Sequence, residues 1–279
     1  MIQKSYQVSN CLYIVPTPIG NMEDITFRAI NVLKSVDIIL CEDTRDSSVL
    51  LNYYKIKKRL ISCHEYNEEK MIDTVISLLK SGKNIALITD QGTPIISDPG
   101  FIIARAVIES GYYVVSLPGA TAFVPALTSS GIEPSPFLYY GFLNSKKSKQ
   151  LTELNSLKDY PFTMIFYESV HRLKDTLSNM LDVFGDRKIS LNREISKIHE
   201  EVIRDTFSKI IPISDSLKGE FVIVVEGNKN SIDYSSIDVL EHVKIYLEDG
   251  ISEKDAIKMV AKERHVPKSV IYKEYHDRK

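Results

Sequence analysis

Two nucleotide-binding signatures are missing from this chain. It has no G-x-G-x-x-G, so the phosphate-cradling fingerprint of nicotinamide and flavin enzymes is absent, and no G-x-x-x-x-G-K-[ST], which excludes a P-loop NTPase. No apolar run approaches the length needed to cross a bilayer, and the N-terminus carries no signal-peptide pattern. A cytoplasmic protein with no membrane partner is therefore expected. Cysteine is scarce: Cys11, Cys41 and Cys63 are odd in number, lack metal-ligand spacing and sit in or beside apolar runs. They read as buried free thiols of a reducing compartment, and no metal site is expected. Nor is there an excess of one charge. A net charge of −2 argues against a protein coated in basic surface for nonspecific nucleic-acid binding, and leaves room for a local basic groove.

What the chain does have is a core. Its 279 residues, 43% of them hydrophobic, describe a globular protein of about two domains or slightly more. The most informative stretch is Ile88 to Gly100, ITDQGTPIISDPG, where two Asp-Gly-Pro clusters follow the apolar run Asn84 to Ile88. A run rich in Ile and Leu without alternation reads as a strand buried on both faces. Gly and Pro set a rigid turn and let a ligand approach the backbone. Such a loop at the carboxyl end of a strand is where open α/β sheets put their ligands. The pattern recurs: Cys11 to Val15 breaks into Pro16-Thr17-Pro18-Ile19-Gly20-Asn21, and Tyr113 to Leu117 breaks into Pro118-Gly119-Ala120-Thr121-Ala122. Val36 to Leu40 ends in Cys41-Glu42-Asp43-Thr44-Arg45. These strand ends point to one shared cleft.

Between them lie segments with helical spacing: Thr26 to Ser35, Glu68 to Ser81 and Phe101 to Glu109. Alternating βα units imply a parallel sheet covered on both faces, here assigned to residues 1–120. A Pro-rich break at Ser130 to Pro136 leads into a second domain, 121–230. It has expected strands at Phe137–Gly141, Thr163–Tyr167, Lys188–Asn192 and Phe221–Val225, and expected helices at Lys147–Leu157 and Val170–Phe184. This half reads as a mixed α+β sheet closing the cleft. The tail, 235–279, reads as three short helices, Ile237–Leu247, Ser252–Lys262 and Lys268–His276, with helix-turn-helix spacing. That spacing suits either a helix offered to nucleic acid or a solvated cap.

Together PTPIGNMEDITFRA, CEDTR, DQGTPIISDPG, LPGATA, FYESVHR, NREISKIHEE and KGEFVIVVEG resemble the bacterial ribosomal RNA small subunit methyltransferase I family, within the tetrapyrrole methylase superfamily. The resemblance runs from about Leu12 into the tail, where SEKDAIKMVAKERHVPKSVIYKEY resembles the family's C-terminal segment. It implies a two-domain tetrapyrrole-methylase-like fold, the cofactor S-adenosylmethionine and a homodimer. The implied reaction is methyl transfer to the ribose 2′-hydroxyl of a cytidine in 16S ribosomal RNA, near the decoding centre and within the 30S subunit. Carried over by position, the cofactor residues are Pro18, Ile19, Gly20, Asp90, Gly92, Thr93, Ile96, Thr121, Ala122, Glu168 and Ile195. Related tetrapyrrole enzymes commonly carry Gly-Asp-Pro in the central loop. Here it reads Gly92-Thr93-Pro94, as in the RNA-modifying branch.

A ribose hydroxyl needs a base, or a cation that stabilises the developing alkoxide. The expected catalytic candidates are His64, Asp98, Glu42, Asp43 and Lys197. His64 also fits a structural role, and Lys197 with Glu200 and Glu201 also fits a solvated charge run. For RNA contact the candidates are Arg45, Lys146, Lys147, Lys149, His171 and Arg172, with a further basic stretch at Lys55 to Arg59 beside Tyr53 and Tyr54. Two other functions share these features. One is a methyltransferase for a small tetrapyrrole or corrin, and the other is a nonenzymatic ribosome-associated RNA-binding protein.

Overall fold

The strands of the first half do not alternate because both faces of their sheet are covered. A computed structural model describes residues 3–5, 9–229, 237–264 and 266–278. In it β1 (Cys11–Ile14), β2 (Ile38–Cys41), β3 (Arg59–Ser62), β4 (Ile85–Leu87) and β5 (Tyr113–Ser116) form one sheet in the order β3-β2-β4-β1-β5. Every pairing in it is parallel. Cys11, Ile39, Cys41 and Val115 face Leu33 and Leu51 on one side. Leu12, Leu40, Ile85 and Leu87 face Val75, Leu79, Ile103 and Val107 on the other. All three cysteines are buried and free, and burial pushes the Cys63 thiol up to about 12.

The covering helices begin where local chemistry satisfies their first N–H groups. Thr26 Oγ1 accepts from Ala29 N at 3.0 Å and opens α1 (Phe27–Ser35). Asp43 does the same for α2 (Thr44–Tyr53), accepting from Arg45 N at 2.7 Å. Here the CEDTR stretch continues into a helix where the sequence suggested only a polar loop. Its buried side, Ser47, Leu50 and Leu51, comes too late and too short to stand out as a period. Next come α3 (Glu68–Lys80) and α4 (Phe101–Glu109). Gly100, the N-cap of α4, has no side chain to offer, so buried Glu68 supplies the cap: its Oε1 accepts from Gly100 N at 3.1 Å and Ile103 N at 3.0 Å.

The second half gives α5 (Phe123–Ser129), β6 (Phe137–Phe142), α6 (Lys147–Ser156), β7 (Thr163–Ser169) and α7 (Leu173–Phe184). After these come β8 (Lys188–Arg193), β9 (Glu201–Thr206), α8 (Phe207–Ser214) and β10 (Glu220–Val225). The sheet order is β6-β7-β10-β8-β9; β6 and β7 run parallel and the remaining pairs antiparallel, a mixed sheet. Sequence periodicity does not reveal α5, β9 or α8. Pro125 hides α5 although a first helical turn tolerates proline, and Pro212 interrupts α8. β9 is an edge strand with no fully buried residue, so its pattern reads as a charge run.

By contacts the chain divides into two compact units. One contains both sheets, joining most of the expected segments 1–120 and 121–230 into a single body. The other comprises residues 159–161 and the described part of 227–279. In it α9 (Val239–Glu248), α10 (Glu253–Glu263) and α11 (Lys268–Asp277) pack around Val243, Ala256, Val260 and Ile271. The expected boundaries at 230 and 235 lie outside the described residues. Among the described residues no helix is long and apolar enough to cross a membrane.

Candidate active site

From β1 the chain crosses to β2 on one side of the sheet, and from β4 it crosses to β5 on the other. These neighbouring strands are the switch point of the sheet, and a crevice opens at their carboxyl ends. A two-bond bridge locks their loops together: Thr17 N donates to Gly92 O at 2.8 Å, and Gly92 N donates back to Thr17 O at 3.1 Å. Buried Thr17 also donates its hydroxyl to Thr89 O at 3.0 Å. Thr93 Oγ1 ties the same loop to Ala120 O at 2.8 Å. Three of the Gly/Pro loops expected from sequence thus meet in one place.

The central loop is held in a backbone form that L-residues avoid. Gly92 has φ +83°, and two residues with side chains, Ile95 (φ +78°) and Ser97 (φ +64°), are also left-handed. Each such non-glycine residue stores on the order of 1–3 kcal/mol, sustained only because its surroundings leave it no alternative. At Gly100 (φ +126°) a Cβ would lie 2.5 Å from Leu87 Cδ2, so only glycine brings the loop back onto the sheet.

Facing this loop, the second sheet supplies a wall of side chains. The cleft encloses about 420 Å³, and its lining includes Ile19, Asp90, Gly92, Thr93, Ile96, Asp98, Thr121, Ala122, Glu168 and Ile195. Nine of the expected cofactor residues are thereby brought together with Asp98. Pro18 and Gly20 are not in the lining. Gly20 is where the Lys197 stem packs: a Cβ there would lie 2.3 Å from Lys197 Cγ. The lining also takes Ser97, Phe142, Tyr167, Glu220 and Phe221, which sequence reasoning did not single out. Apolar surface from Ile19, Ile96, Ala122, Ile195 and Val222 alternates there with the acidic residues Asp90, Asp98 and Glu220. That lining suits a ligand with a flat apolar part and a positive charge.

Glu168 is the buried anchor of the second wall. Its Oε1 accepts from Ser169 N at 2.8 Å, and its Oε2 accepts from Thr176 Oγ1 at 2.6 Å. Arg172 Nη2 stands 3.3 Å from the same Oε2. Behind it Gln150 Nε2 donates to Thr176 Oγ1 at 3.0 Å and Asn179 Nδ2 donates to Gln150 Oε1 at 2.6 Å. The chain is fully satisfied, which is what a buried polar network must be to be stable.

Asp98 is the carboxylate with the most altered chemistry. Burial pushes it up to about 6, the charges of Glu42 and Asp90 add to the rise, and a 2.9 Å hydrogen bond from Thr89 Oγ1 to Oδ1 opposes it. Its Oδ2 has no protein partner among the described residues. The other catalytic candidates lie outside the lining. Glu42 directly follows β2 and is raised by burial. Asp43 is committed to capping α2 and to Arg45 Nη2 at 2.7 Å, and hydrogen bonding from Arg45 holds it down at about 2. His64 follows β3, with Nδ1 buried and unpartnered. Lys197 reaches Glu194 at 3.1 Å and Glu220 at 2.7 Å; burial works against its charge, but these carboxylates outweigh it and hold the ammonium above the ordinary lysine value.

Of the expected RNA contacts, Lys146, Lys147, Lys149 and His171 are exposed. Arg45 is exposed too, and among the described residues it pairs with Asp43 alone. Arg172 is turned inward, donating to Leu143 O at 2.8 Å and Asn144 O at 3.2 Å as well as standing against Glu168.

Comparison with known proteins agrees with this architecture. Residues 11–211 match the family model of tetrapyrrole (corrin/porphyrin) methylases. Ribosomal RNA small subunit methyltransferase I of Bacillus subtilis is 50% identical over 95% of this chain and 94% of the relative. The protein of that name from Escherichia coli O157:H7 is 39% identical over 94% of this chain and 93% of the relative. Among solved structures, uroporphyrin-III-C-methyltransferase from Thermus thermophilus aligns with a TM-score of 0.57 at 20% identity, covering 78% of this chain and 94% of that one. A cobalt precorrin-4 methyltransferase aligns with a TM-score of 0.54 at 16% identity, covering 81% of this chain and 98% of that one. At such identities the solved structures speak for the fold. The chain is a methyltransferase that belongs to the tetrapyrrole (corrin/porphyrin) methylase family, in its ribosomal RNA small subunit methyltransferase I branch.

Proposed function

We propose that this protein transfers a methyl group from S-adenosylmethionine to the 2′-hydroxyl of a cytidine ribose in 16S ribosomal RNA, near the decoding centre of the small subunit. It acts on the assembled 30S particle, as a homodimer in the cytoplasm. The observation that carries this reading is the extent of the likeness. Relatives named for small-subunit ribosomal RNA match 94–95% of the chain at 39–50% identity, and so take in the tail helices. The tetrapyrrole enzymes match 78–81% of it at 16–20% identity. This favours RNA over a macrocycle as substrate.

The cleft fits the cofactor. Carboxylates at Asp90 and Asp98 suit a sulfonium cation, and Ile19, Ile96, Ala122 and Ile195 suit the adenine face. Bound there, S-adenosylmethionine supplies an electrophilic methyl group. The backbone of the Gly92–Gly100 loop, already rigid, fixes the ligand without reorganising, and orientation of this kind contributes much of a transfer rate. We assign Asp98 as the base: Oδ1 is held by Thr89, and Oδ2 would take the ribose proton as the hydroxyl oxygen gains the methyl group, the methyl–sulfur bond breaks and S-adenosylhomocysteine is left. A carboxyl with a pKa of about 6 is ionised at neutral pH and more basic than an ordinary aspartate. Asp43, held at about 2 by Arg45, is a far weaker base.

Labelled S-adenosylmethionine and unmodified small subunits test this directly. Label on one cytidine ribose supports the reading, with D98N expected to lower kcat by ~10²–10⁴-fold while still binding S-adenosylhomocysteine. For the wild type, kcat/KM should rise with pH to a plateau above about 6. Cofactor binding without label on the subunit would transfer the reading to a small-molecule substrate; no cofactor binding would leave only the RNA-binding protein.

A further inference from the structure

The edge strand of the second sheet contains a device that the proposed reaction has not yet used. Among the described residues β6 lies at one edge of this sheet and pairs with β7 alone. Along that pair Tyr139 lies opposite Ile165, but the next residue of β7, Phe166, lies opposite Gly141, so Tyr140 is extra. Side chains alternate along a strand, and one inserted residue moves every later side chain to the other face. Without the bulge Phe142 would share the face of Tyr140, whose ring lies 5.5 Å from that of Phe166. With it Phe142 lies opposite Tyr167 and joins the face of Tyr139. Its ring stands edge-on to Tyr167 at 5.5 Å and 71°. Glycine is required at the bulge: Gly141 has φ +82°, and a Cβ there would lie 3.0 Å from Ser97 Oγ of the central loop.

The outcome of this construction is an aromatic ring in the cleft lining that remains 53% exposed. Apart from the edge contact with Tyr167, no ring contact among the described residues explains why a register shift should deliver a phenylalanine to water. The residues after it are held firmly. Leu143 is buried, and the carbonyls of Leu143 and Asn144 both accept from Arg172 Nη2, which also stands 3.3 Å from Glu168. Beyond this splint come the exposed lysines 146, 147 and 149.

We infer that Phe142 is the platform on which the target nucleobase stacks, and that Arg172 is a positioning residue that sets this platform and the lysine loop against the cofactor wall. This rests on the reading that the substrate is ribosomal RNA. A base drawn out of its helix needs an aromatic face to replace lost stacking, and flanking cations to meet its phosphates. A ring face accepts any base, so Phe142 places the nucleotide and does not choose it.

The test compares F142A and F142W with wild type, using unmodified small subunits with S-adenosylhomocysteine present for binding and S-adenosylmethionine for turnover. F142A should raise both the KM and the dissociation constant for subunits by about tenfold, with S-adenosylhomocysteine affinity by calorimetry within about twofold of wild type. F142W should restore both to within about threefold. The chain has no tryptophan, so F142W also installs a sole indole whose emission should not change on adding S-adenosylhomocysteine alone. R172A should raise the subunit KM as F142A does, with S-adenosylhomocysteine affinity likewise within about twofold of wild type. Unchanged subunit binding in F142A, or a loss of S-adenosylhomocysteine affinity as large as the loss for subunits, would overturn the assignment; the second result would make Phe142 a cofactor wall. Failure of the wild type to methylate subunits would instead overturn the rRNA reading, and the two failures are distinct.

Discussion

The two walls of the cleft are built on different principles. The wall from the parallel sheet is made of backbone: the Thr17–Gly92 bridge, left-handed Ile95 and Ser97, and a glycine at 100 where a Cβ would press on Leu87. The wall from the mixed sheet is made of side chains: Tyr167 and Phe142 on the cleft face, backed from the other face of the sheet by buried Glu168, which Thr176, Gln150 and Asn179 hold. A backbone wall presents fixed dipoles and is indifferent to most side-chain changes, whereas a side-chain wall is only as rigid as its hydrogen bonds. The first suits a ligand common to a whole family, and the second is where variation in substrate is easily accommodated.

Breaking the side-chain wall at its anchor should have the largest effect. E168A leaves the buried Thr176 hydroxyl without its acceptor and takes the carboxylate away from Arg172. We expect a loss of about 3–4 kcal/mol in urea unfolding, with impaired cofactor binding. Next comes the backbone wall. G100A adds a Cβ against Leu87 at a φ that alanine resists and should cost about 2–3 kcal/mol by the same measurement. Near-native stability in G100A would mean that the loop yields easily, and the contrast between the walls would fail.

Asp98 links the central loop to the charge of the cleft and gives a smaller effect of opposite sign. Its folded pKa of about 6 lies above the ordinary carboxyl value of 3.8, so the native state holds this proton more tightly than the unfolded chain. The stabilisation is therefore complete below about pH 4 and is lost as pH rises through about 6. At pH 7.5 the ionised carboxylate is a net cost, which partial solvent screening reduces to about 1–2 kcal/mol. D98N mimics the protonated form and should be more stable than wild type by that amount at pH 7.5 and equal to it near pH 4. Equal stability at both pH values would show that the carboxyl is not perturbed.

The same contrast explains what was legible in the sequence. The backbone wall announces itself, because Gly92, Gly100 and Gly119 with their prolines are residues whose geometry is local, and the runs before them are buried on both faces. The α2 helix was hidden because Asp43 and Arg45 look like loop chemistry until Leu50 and Leu51 are seen to be buried. The side-chain wall was harder to read. Ile195 came only from family resemblance, Glu168 from that resemblance and from its place at the end of a strand-like run, and Tyr167 and Phe142 resemble any aromatic residue of a strand. Whether Phe142 faces the cleft or the other side depends on one extra residue at Tyr140, and the glycine within FLYYGF is its only local signal.

The smallest expected effect sharpens the comparison most. Thr93 belongs to the backbone wall but contributes a side-chain bond, Oγ1 to Ala120 O at 2.8 Å, that ties the central loop to the loop after β5. T93V keeps the shape and the β-branch and removes only this hydrogen bond, at a cost of about 0.5–1 kcal/mol. If the loop is fixed by its backbone, the Thr17–Gly92 bridge and the cap from Glu68 should hold its course without the hydroxyl. Affinity for S-adenosylhomocysteine, measured by calorimetry, should then fall by no more than about threefold. A loss approaching that of E168A would mean that side chains hold both walls, and that the strained φ values of Ile95 and Ser97 are a consequence of the Thr93 contact and not an independent source of rigidity.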